Sequence, residues 1–484
     1  MRKIIFIEPK SPNLHVFSQF PLPRLGVFIL GAIVKEQGWD AEVIVEQFQK
    51  IDFEKIRNAN IVGISTITPT APRAYAIADR IRSLGIPVVI GGPHVTFLPD
   101  EALEHSDYVI RGEAEEALVS FLEAWENGRD FSEVHNLSFQ NNGKAIHNPV
   151  KPLARSLDEN PFPDFNLSHY VRKKMAGTMT IPVQTSRGCP FHCSFCSVTG
   201  MFGKAYRFRS TENVIEELHR YNHKKNSIFF YDDNFTANRK RAKALLRRMI
   251  EEKFKFKWST QVRVDIAKDP ELVKLMKKAG CHTLYIGMES INPNSLKSMK
   301  KQQTVEEMAQ AIQVLHRQGI RIHGMFVYGF DEDDWNTVKE TVRFAKRVKL
   351  SSTQFLLLTP LPGSEFYTRV TGEKRIQFHD WSLYDAHHAV FKPKRLSLFE
   401  LQWAQIFSHT KFYSFLEIIR RAMSFAWVEF AIAVYARKIN KLWQKQNETF
   451  LKVIDLFRSK KEVEINIDYR ERVWLEDESA GMTM

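Results

Sequence analysis

The sequence predicts an α/β protein in four parts. A doubly wound, Rossmann-like domain is expected over residues 1–150 and an extended linker over 151–179. A partial (β/α)6 barrel follows over 180–370, then a mostly helical region over 371–484. Three observations predict this. Short apolar runs alternate with helical patterns through the first part. Strand then helix recurs about six times in the third part, and the alternation stops near residue 371.

In the first part, KIIFIE reads as a buried strand and LGVFILGAIVKEQG as a helix that closes at Gly38. IVGIS (Ile61–Ser65), VVIG (Val88–Gly91) and YVIR (Tyr108–Arg111) read as further strands. Gly38 and Gly85 stand where a helix must reverse into a strand. In open sheets of this kind a ligand binds beyond the carboxyl ends of the strands. The segments found there are TITPT, GPHVT and GEAEEAL. Gly91, Gly92 and Gly112 allow close backbone approach to a ligand, and Ser65, Thr66 and Thr68 offer hydroxyls and amides. Pro93, His94 and Glu113 complete the candidates at these turns.

The prolines of LDENPFPD (Leu157–Asp164) forbid a regular helix or central strand, so this stretch should be an extended tether. Barrel strands are expected at Pro182–Thr185, Ser227–Tyr231, Lys257–Val262, Thr283–Gly287, Arg321–Val327 and Thr353–Leu358. Amphipathic helices such as Thr211–His223 and Glu306–Gln318 separate them. Asp269 before Pro270 is a helix start, and Gly280 and Gly319 are helix ends. The active loops of such a barrel lie at the strand C-termini.

The strongest chemical signal is TSRGCPFHCSFCSVTG. The chain has four cysteines, and Cys189, Cys193 and Cys196 fall within eight positions at spacing CxxxCxxC. Thiolates are soft ligands suited to iron–sulfur clusters. Three of them can hold three irons of a cubane and leave the fourth open to a chelating molecule. A closed structural site wants a fourth protein ligand nearby. Cys281 lies 85 residues further on, which suits that role poorly. An incomplete zinc knuckle is the alternative the spacing leaves open.

The spacing, the preceding Ser186-Arg187-Gly188 and the aromatic Phe195 make this segment resemble the radical S-adenosylmethionine (radical SAM) family. The resemblance implies a 4Fe–4S cluster whose open iron binds the amino and carboxylate groups of SAM, with reductive cleavage to a 5′-deoxyadenosyl radical. It also implies SAM-binding residues at successive strand ends. These are Asp232 and Asp233 in YDDNF, Gln261 and Arg263 in STQVRVD, and Glu289 and Ser290 in GMES. Placed before that motif, the GGPH and RGE segments resemble the cobalamin-binding domain of the cobalamin-dependent subclass. The cobalt-ligating DxHxxG motif is absent from the sequence. Cobalamin would then have no histidine on its lower face, and His94 reads as a loop or crevice residue.

The implied activity is modification of an unactivated carbon, foremost methyl transfer, with cyclisation, oxygenation or rearrangement as the rival outcome. A transfer-RNA methylthiotransferase carries three further N-terminal cysteines. This chain has none before Cys189, so that reading fails, and no nucleic-acid partner is expected. The cluster would draw electrons from a donor such as flavodoxin or ferredoxin. Composition, 44% hydrophobic and 26% charged, excludes wholesale disorder. MRKIIFIEPK lacks signal-peptide features, and free cysteines fit a reducing cytoplasm.

Net charge is +13, with 14 Lys/Arg against 5 Asp/Glu in residues 392–461 and an acidic reversal in 462–484. Leu398–Phe412 and Phe415–Lys445 read as aromatic-rich helices. The apolar run Ala422–Ala436 sits between Arg420-Arg421 and Arg437-Lys438 but is too short to span a membrane. Two placements compete: an apolar stripe packed on the barrel, which is preferred, and a membrane-facing or lid-like surface at the inner face of the membrane. This region also points to a large apolar or lipid-like substrate, with a tetrapyrrole or natural-product scaffold as the alternative.

Overall fold

The computed structural model describes residues 2–13, 22–152, 156–175, 179–203 and 205–458. The first sheet has seven strands: β1 (Lys3–Glu8), β2 (Asp40–Val45), β3 (Ile61–Ser65), β4 (Val88–Gly91), β5 (Tyr108–Ile110), β6 (Leu137–Asn141) and β7 (Lys144–His147). Their order is β2-β1-β3-β4-β5-β6-β7, parallel through β5 and antiparallel beyond it. Strand periodicity assigns the faces. Ile4 and Phe6 join one core while Ile5 and Ile7 join the other, so both faces are buried under helices. The chain reverses direction of winding between β1 and β3, the switch point at which doubly wound sheets open a ligand crevice. Arg24 spans that point, donating its backbone N–H to Glu8 Oε2 (2.8 Å) and its guanidinium to the Ser65 carbonyl (2.9 Å).

The sequence expectation lacked β2 and the β6–β7 hairpin. The hairpin turn is Asn142-Gly143, both at positive φ, the pair that a two-residue turn of this hand favours. The stretch expected as an extended linker over 151–179 is not extended throughout, since it includes a 3-10 turn at Phe165–Leu167 and the helix His169–Met175. Its Leu157–Glu159 segment is a short 3-10 turn with a Ser156/Glu159 capping box. Asp158 accepts the Ser210 N–H, and Phe162 lies under the Arg220 guanidinium at 4.1 Å.

The second sheet holds β8 (Thr180–Val183), β11 (Ser227–Phe230), β12 (Lys257–Val262), β13 (Cys281–Glu289), β14 (Arg321–Tyr328) and β15 (Ser352–Leu357). All are parallel and neighbours in chain order, so six βα units form an open barrel with edges at β8 and β15. A short ribbon of β9 (Ser186–Arg187) and β10 (Arg207–Phe208) brackets the cysteine loop. On the helix side of β12, Trp258 is fully buried against Phe230 and Phe235 and donates its indole N–H to the Ala279 carbonyl (2.8 Å). The opposite, concave side carries Phe229, Tyr285 and His323. Ring contacts at 5.7 Å and 5.0 Å join them across the strands and record the curvature.

The C-terminal region is helical, with one correction. Leu398–Phe412 forms as expected, but Phe415–Lys445 is two helices, Phe415–Met423 and Trp427–Gln446. Phe425 breaks them at φ +55°, with the Ala426 N–H returned to the Arg421 carbonyl. The acidic stretch 462–484 lies outside the described residues.

Candidate active site

The cysteine loop runs from β9 to the short helix Val198–Phe202. It is fastened on three sides. Gly188 (φ +83°) turns the chain so tightly that a Cβ there would lie 2.7 Å from the Ala205 carbonyl, so no other residue fits. Its N–H is accepted by Asp233. On the far side the Phe366 N–H donates to the Ser194 carbonyl (2.9 Å), and His192 meets Glu365 (2.6 Å).

The third fastening comes from the first domain. Arg187, two residues before Cys189, is buried between Glu113 (2.8 Å) and Glu115 (2.5 Å), and Glu113 also holds Arg207 (2.7 Å). Burial alone would raise the Glu113 carboxyl; Arg187 and then Arg207 hold it below the ordinary carboxylate value. Glu113 is therefore a tether to the cysteine loop, with both oxygens committed to protein donors. Phe97, just beyond the GGPH turn, fills space left by Gly200 and Gly363, where an added Cβ would strike its ring.

Cys189, Cys193 and Cys196 are half-buried and free. Burial pushes the Cys196 thiol up to about 12 and raises that of Cys189, and each feels Cys193 and Asp233 as nearby negative charge. Among the described residues no three His, Cys, Asp or Glu side chains converge on one point as ligands of a single ion. The three thiols share one loop and feel one another's charge, and each could take its own iron of a cubane. The donor set fits a 4Fe–4S cluster, which would hold all three deprotonated. Cys281 is buried at the start of β13, with its thiol raised by burial and turned to the Thr283 carbonyl.

The strand-end residues fall into two groups. Asp232 is sealed in: burial raises its carboxyl, and its oxygens accept the N–H groups of Thr185 (2.7 Å) and Ser186 (2.8 Å) together with the Thr185 hydroxyl. Asp233 beside it is accessible, and burial followed by the Asp232 charge raises its carboxyl to about 6. Gln261 is exposed on β12. Arg263 is buried with its guanidinium 3.9 Å from the Phe191 ring of the cysteine loop. Glu289 adopts φ +60° and pairs with Lys301 (2.7 Å), while the Ser290 hydroxyl accepts the Asn292 N–H. Phe195 packs against Phe330.

In the first domain, Ser65, Gly91, Pro93 and Gly112 are partly exposed at the strand crest, whereas Thr66 and Thr68 are buried. Gly92 (φ +116°) admits the closest backbone approach there, since a Cβ would lie 2.2 Å from the Thr66 carbonyl. His94 departs from the expected crevice position. It sits on the helix Pro93–Phe97 with no side-chain exposure, paired with Glu101 (3.2 Å) and edge-on to Trp381 (5.0 Å). Glu101 also accepts from Tyr75 and from the Trp381 indole, which draws the C-terminal region onto the first domain.

Sequence reasoning passed over Tyr231. It follows β11 and keeps 44% of its surface accessible. Burial nevertheless raises its phenol, with Arg24 and Glu8 of the first domain among the charges it feels. Because it also feels Asp233, Tyr231 stands where the carboxyl ends of the two sheets come near each other.

This fold and this loop define a radical SAM enzyme with a cobalamin-binding domain ahead of its barrel. Family models agree: that of the radical SAM superfamily matches residues 183–345 and that of the B12 binding domain residues 17–122. An uncharacterized methyltransferase of Pyrococcus horikoshii is 32% identical, covering 82% of this chain and 89% of that protein. The bacteriochlorophyllide d C-8(2)-methyltransferase of Chlorobaculum tepidum is 30% identical (84% and 89% covered). The hopanoid C-3 methylase of Methylococcus capsulatus is 28% identical (82% and 77% covered). The cobalamin-dependent SAM radical enzyme OxsB, solved with aqua-cobalamin and SAM bound, shares the fold at TM-score 0.71 and 18% identity, covering 95% of this chain and 75% of that one. The chain belongs to the cobalamin-dependent radical SAM methyltransferases. Its cofactors are a 4Fe–4S cluster, SAM and cobalamin.

Proposed function

We propose that the enzyme methylates an unactivated carbon of a large apolar, lipid-like molecule. The observation that carries this reading is the run of aromatic rings on the concave face, from the accessible Tyr231 at the strand end through Phe229 to Tyr285. An apolar skeleton laid there would lie between the crest of the first domain and the cysteine loop. The similarity to a hopanoid methylase supports the same class, and the similarity to a bacteriochlorophyllide methyltransferase, named for a tetrapyrrole, supports methyl transfer as the outcome. Cyclisation, oxygenation or rearrangement of a tetrapyrrole or natural-product scaffold with the same cofactors is the alternative.

When bound, the cluster and SAM supply a carbon-centred radical and cobalamin carries the methyl group. The residues here bind, orient and exclude water. Asp233, Gln261, Arg263, Glu289 and Ser290 ring the barrel mouth, where Arg263 offers a cation to a carboxylate and Asp233 an anion to an ammonium. Phe195, packed on Phe330, would support the cluster side of that pocket. Ser65, Gly91, Gly92, Pro93 and Gly112 form the crest on which a corrinoid would rest. Thr66 and Thr68 support it from beneath. Asp232, His94 and Glu113 act in position, through the protein groups they hold. A one-electron donor such as flavodoxin or ferredoxin would reduce the cluster, and an apolar substrate would be met at a membrane surface.

The test is anaerobic incubation with SAM and a reductant, scored for 5′-deoxyadenosine, together with mass spectrometry of lipid extracts from cells with and without the protein. A lipid heavier by one methylene (+14 Da) only in producing cells is the expected result. Deoxyadenosine formation with an unchanged lipid profile and a modified tetrapyrrole would favour the alternative.

A further inference from the structure

The C-terminal helices carry an apolar surface turned the wrong way for a packed hairpin. Of the 14 large apolar side chains exposed among the described residues, eight lie between residues 415 and 434, so the exposure is local. On the helix Phe415–Met423, positions 415, 416, 419 and 423 fall within about 100° of one another at 3.6 residues per turn. All four are exposed, and Leu416 is 78% accessible. The buried side of that helix holds Glu417, Ile418 and Arg421 instead. The connecting turn adds Phe425 (77% accessible) and Trp427, whose rings meet at 6.1 Å. Burial of one such side chain is worth about 1.5–3 kcal/mol, which nothing within the described residues recovers here. A contiguous apolar patch of this kind marks an interaction site.

The charge around it is one-sided. Lys411 and Arg420 are exposed beside the patch. The ammonium of Lys346, on the helix Trp335–Arg347, is lowered by burial and by the like charges of Lys411, Arg420 and Arg421. The acids near the tip are already paired: Glu417 with Arg420 and Arg421, and Glu429 with Arg321 (3.2 Å). Apolar side chains with an aromatic tip and a basic rim match an anionic lipid interface.

We propose that this tip, led by Leu416, Met423, Phe425 and Trp427, inserts shallowly into an anionic membrane surface. Its value for catalysis rests on the lipid-like substrate proposed above; the binding itself does not. The sequence-based alternatives are corrected in two respects. Arg421 is no lipid contact, being buried and donating to the carbonyls of Ser351 and Glu429. Nor is the surface a lid over the cofactors. The helices anchor at the N-terminal ends of β14 and β15, through Arg321–Glu429 and through Tyr413 to Thr353, away from the cysteine loop.

The test is co-sedimentation of the full chain with phosphatidylglycerol and with phosphatidylcholine vesicles, without SAM or reductant. Binding to phosphatidylglycerol is expected at low salt, weaker on phosphatidylcholine and weaker as salt rises. Leu416→Gln with Phe425→Gln should reduce it at least tenfold, and Lys411→Gln with Arg420→Gln should reduce its salt dependence. All four sites are exposed, so folding is retained, and circular dichroism checks it. No binding by the wild-type chain, or equal binding by the Leu416/Phe425 variant, overturns the proposal. So does a dimer in light scattering that the same variant disperses, because a second copy then covers the patch. Deoxyadenosine assays run in parallel separate this outcome from a failure of the proposed chemistry.

Discussion

Glu113→Ala should loosen the cysteine loop from a distance. The Glu113 side chain is only 4% exposed, and each oxygen serves a different guanidinium, Arg187 at 2.8 Å and Arg207 at 2.7 Å. Removing one partner of a buried pair costs about 3–5 kcal/mol, because the other charge stays desolvated. Here the lower end applies: Arg187 keeps Glu115 and Gln184, and the partly exposed Arg207 can rehydrate. A loss of about 3 kcal/mol corresponds to roughly hundredfold faster amide exchange where the opening is local. Hydrogen exchange at Ser186–Cys189 and Glu113–Ala117 is the assay, since a chain of several parts need not unfold in one step. Glu113→Gln, which keeps shape and one acceptor but no charge, should fall between. The sign with pH follows from the lowered carboxyl of Glu113. Its stabilisation is complete above the unfolded carboxylate value of about 4.3 and is lost as pH falls through the folded value, so wild type and variant should converge in acid. Exchange within about threefold of wild type at neutral pH would refute the tether.

Replacing Cys189, Cys193 or Cys196 by alanine should abolish deoxyadenosine formation. Cys281→Ala should keep full iron and sulfide content, with only about 1 kcal/mol of stability lost to a small cavity. His94→Gln should leave the absorbance of bound corrinoid unchanged, because the ring is closed off behind Glu101 and Trp381; a shifted spectrum would put His94 on the cobalt. Lys301→Met strands the buried Glu289 carboxylate and should weaken SAM binding by about tenfold or more, measured by calorimetry on the reconstituted cluster. Trp427→Phe should remove the blue-shifted part of the fluorescence change on phosphatidylglycerol vesicles without altering activity on a detergent-dispersed substrate.

The cysteine triplet, the two α/β rhythms and the order of the domains were legible in the chain because each is local: a spacing, a periodicity or a turn residue. Asn142-Gly143, the turn of the β6–β7 hairpin, is an equally local signal, although the alternation of apolar runs does not mark its two strands. Tertiary structure alone decided which polar residues at the strand ends are free. Asp232 and Asp233 are adjacent in sequence, yet one is consumed by the backbone of Thr185 and Ser186 while the other stays accessible. Glu113 reads as a cofactor-binding residue at a strand end until Arg187, more than 70 residues later, is folded between it and Glu115. The break at Phe425 carries no glycine or proline to announce it. Beside it Arg421 turns inward to the Ser351 carbonyl while the apolar face of its helix lies toward solvent. Local pattern sets which elements form; which face is covered, and which charge is paired, depends on groups that only the packed chain brings together.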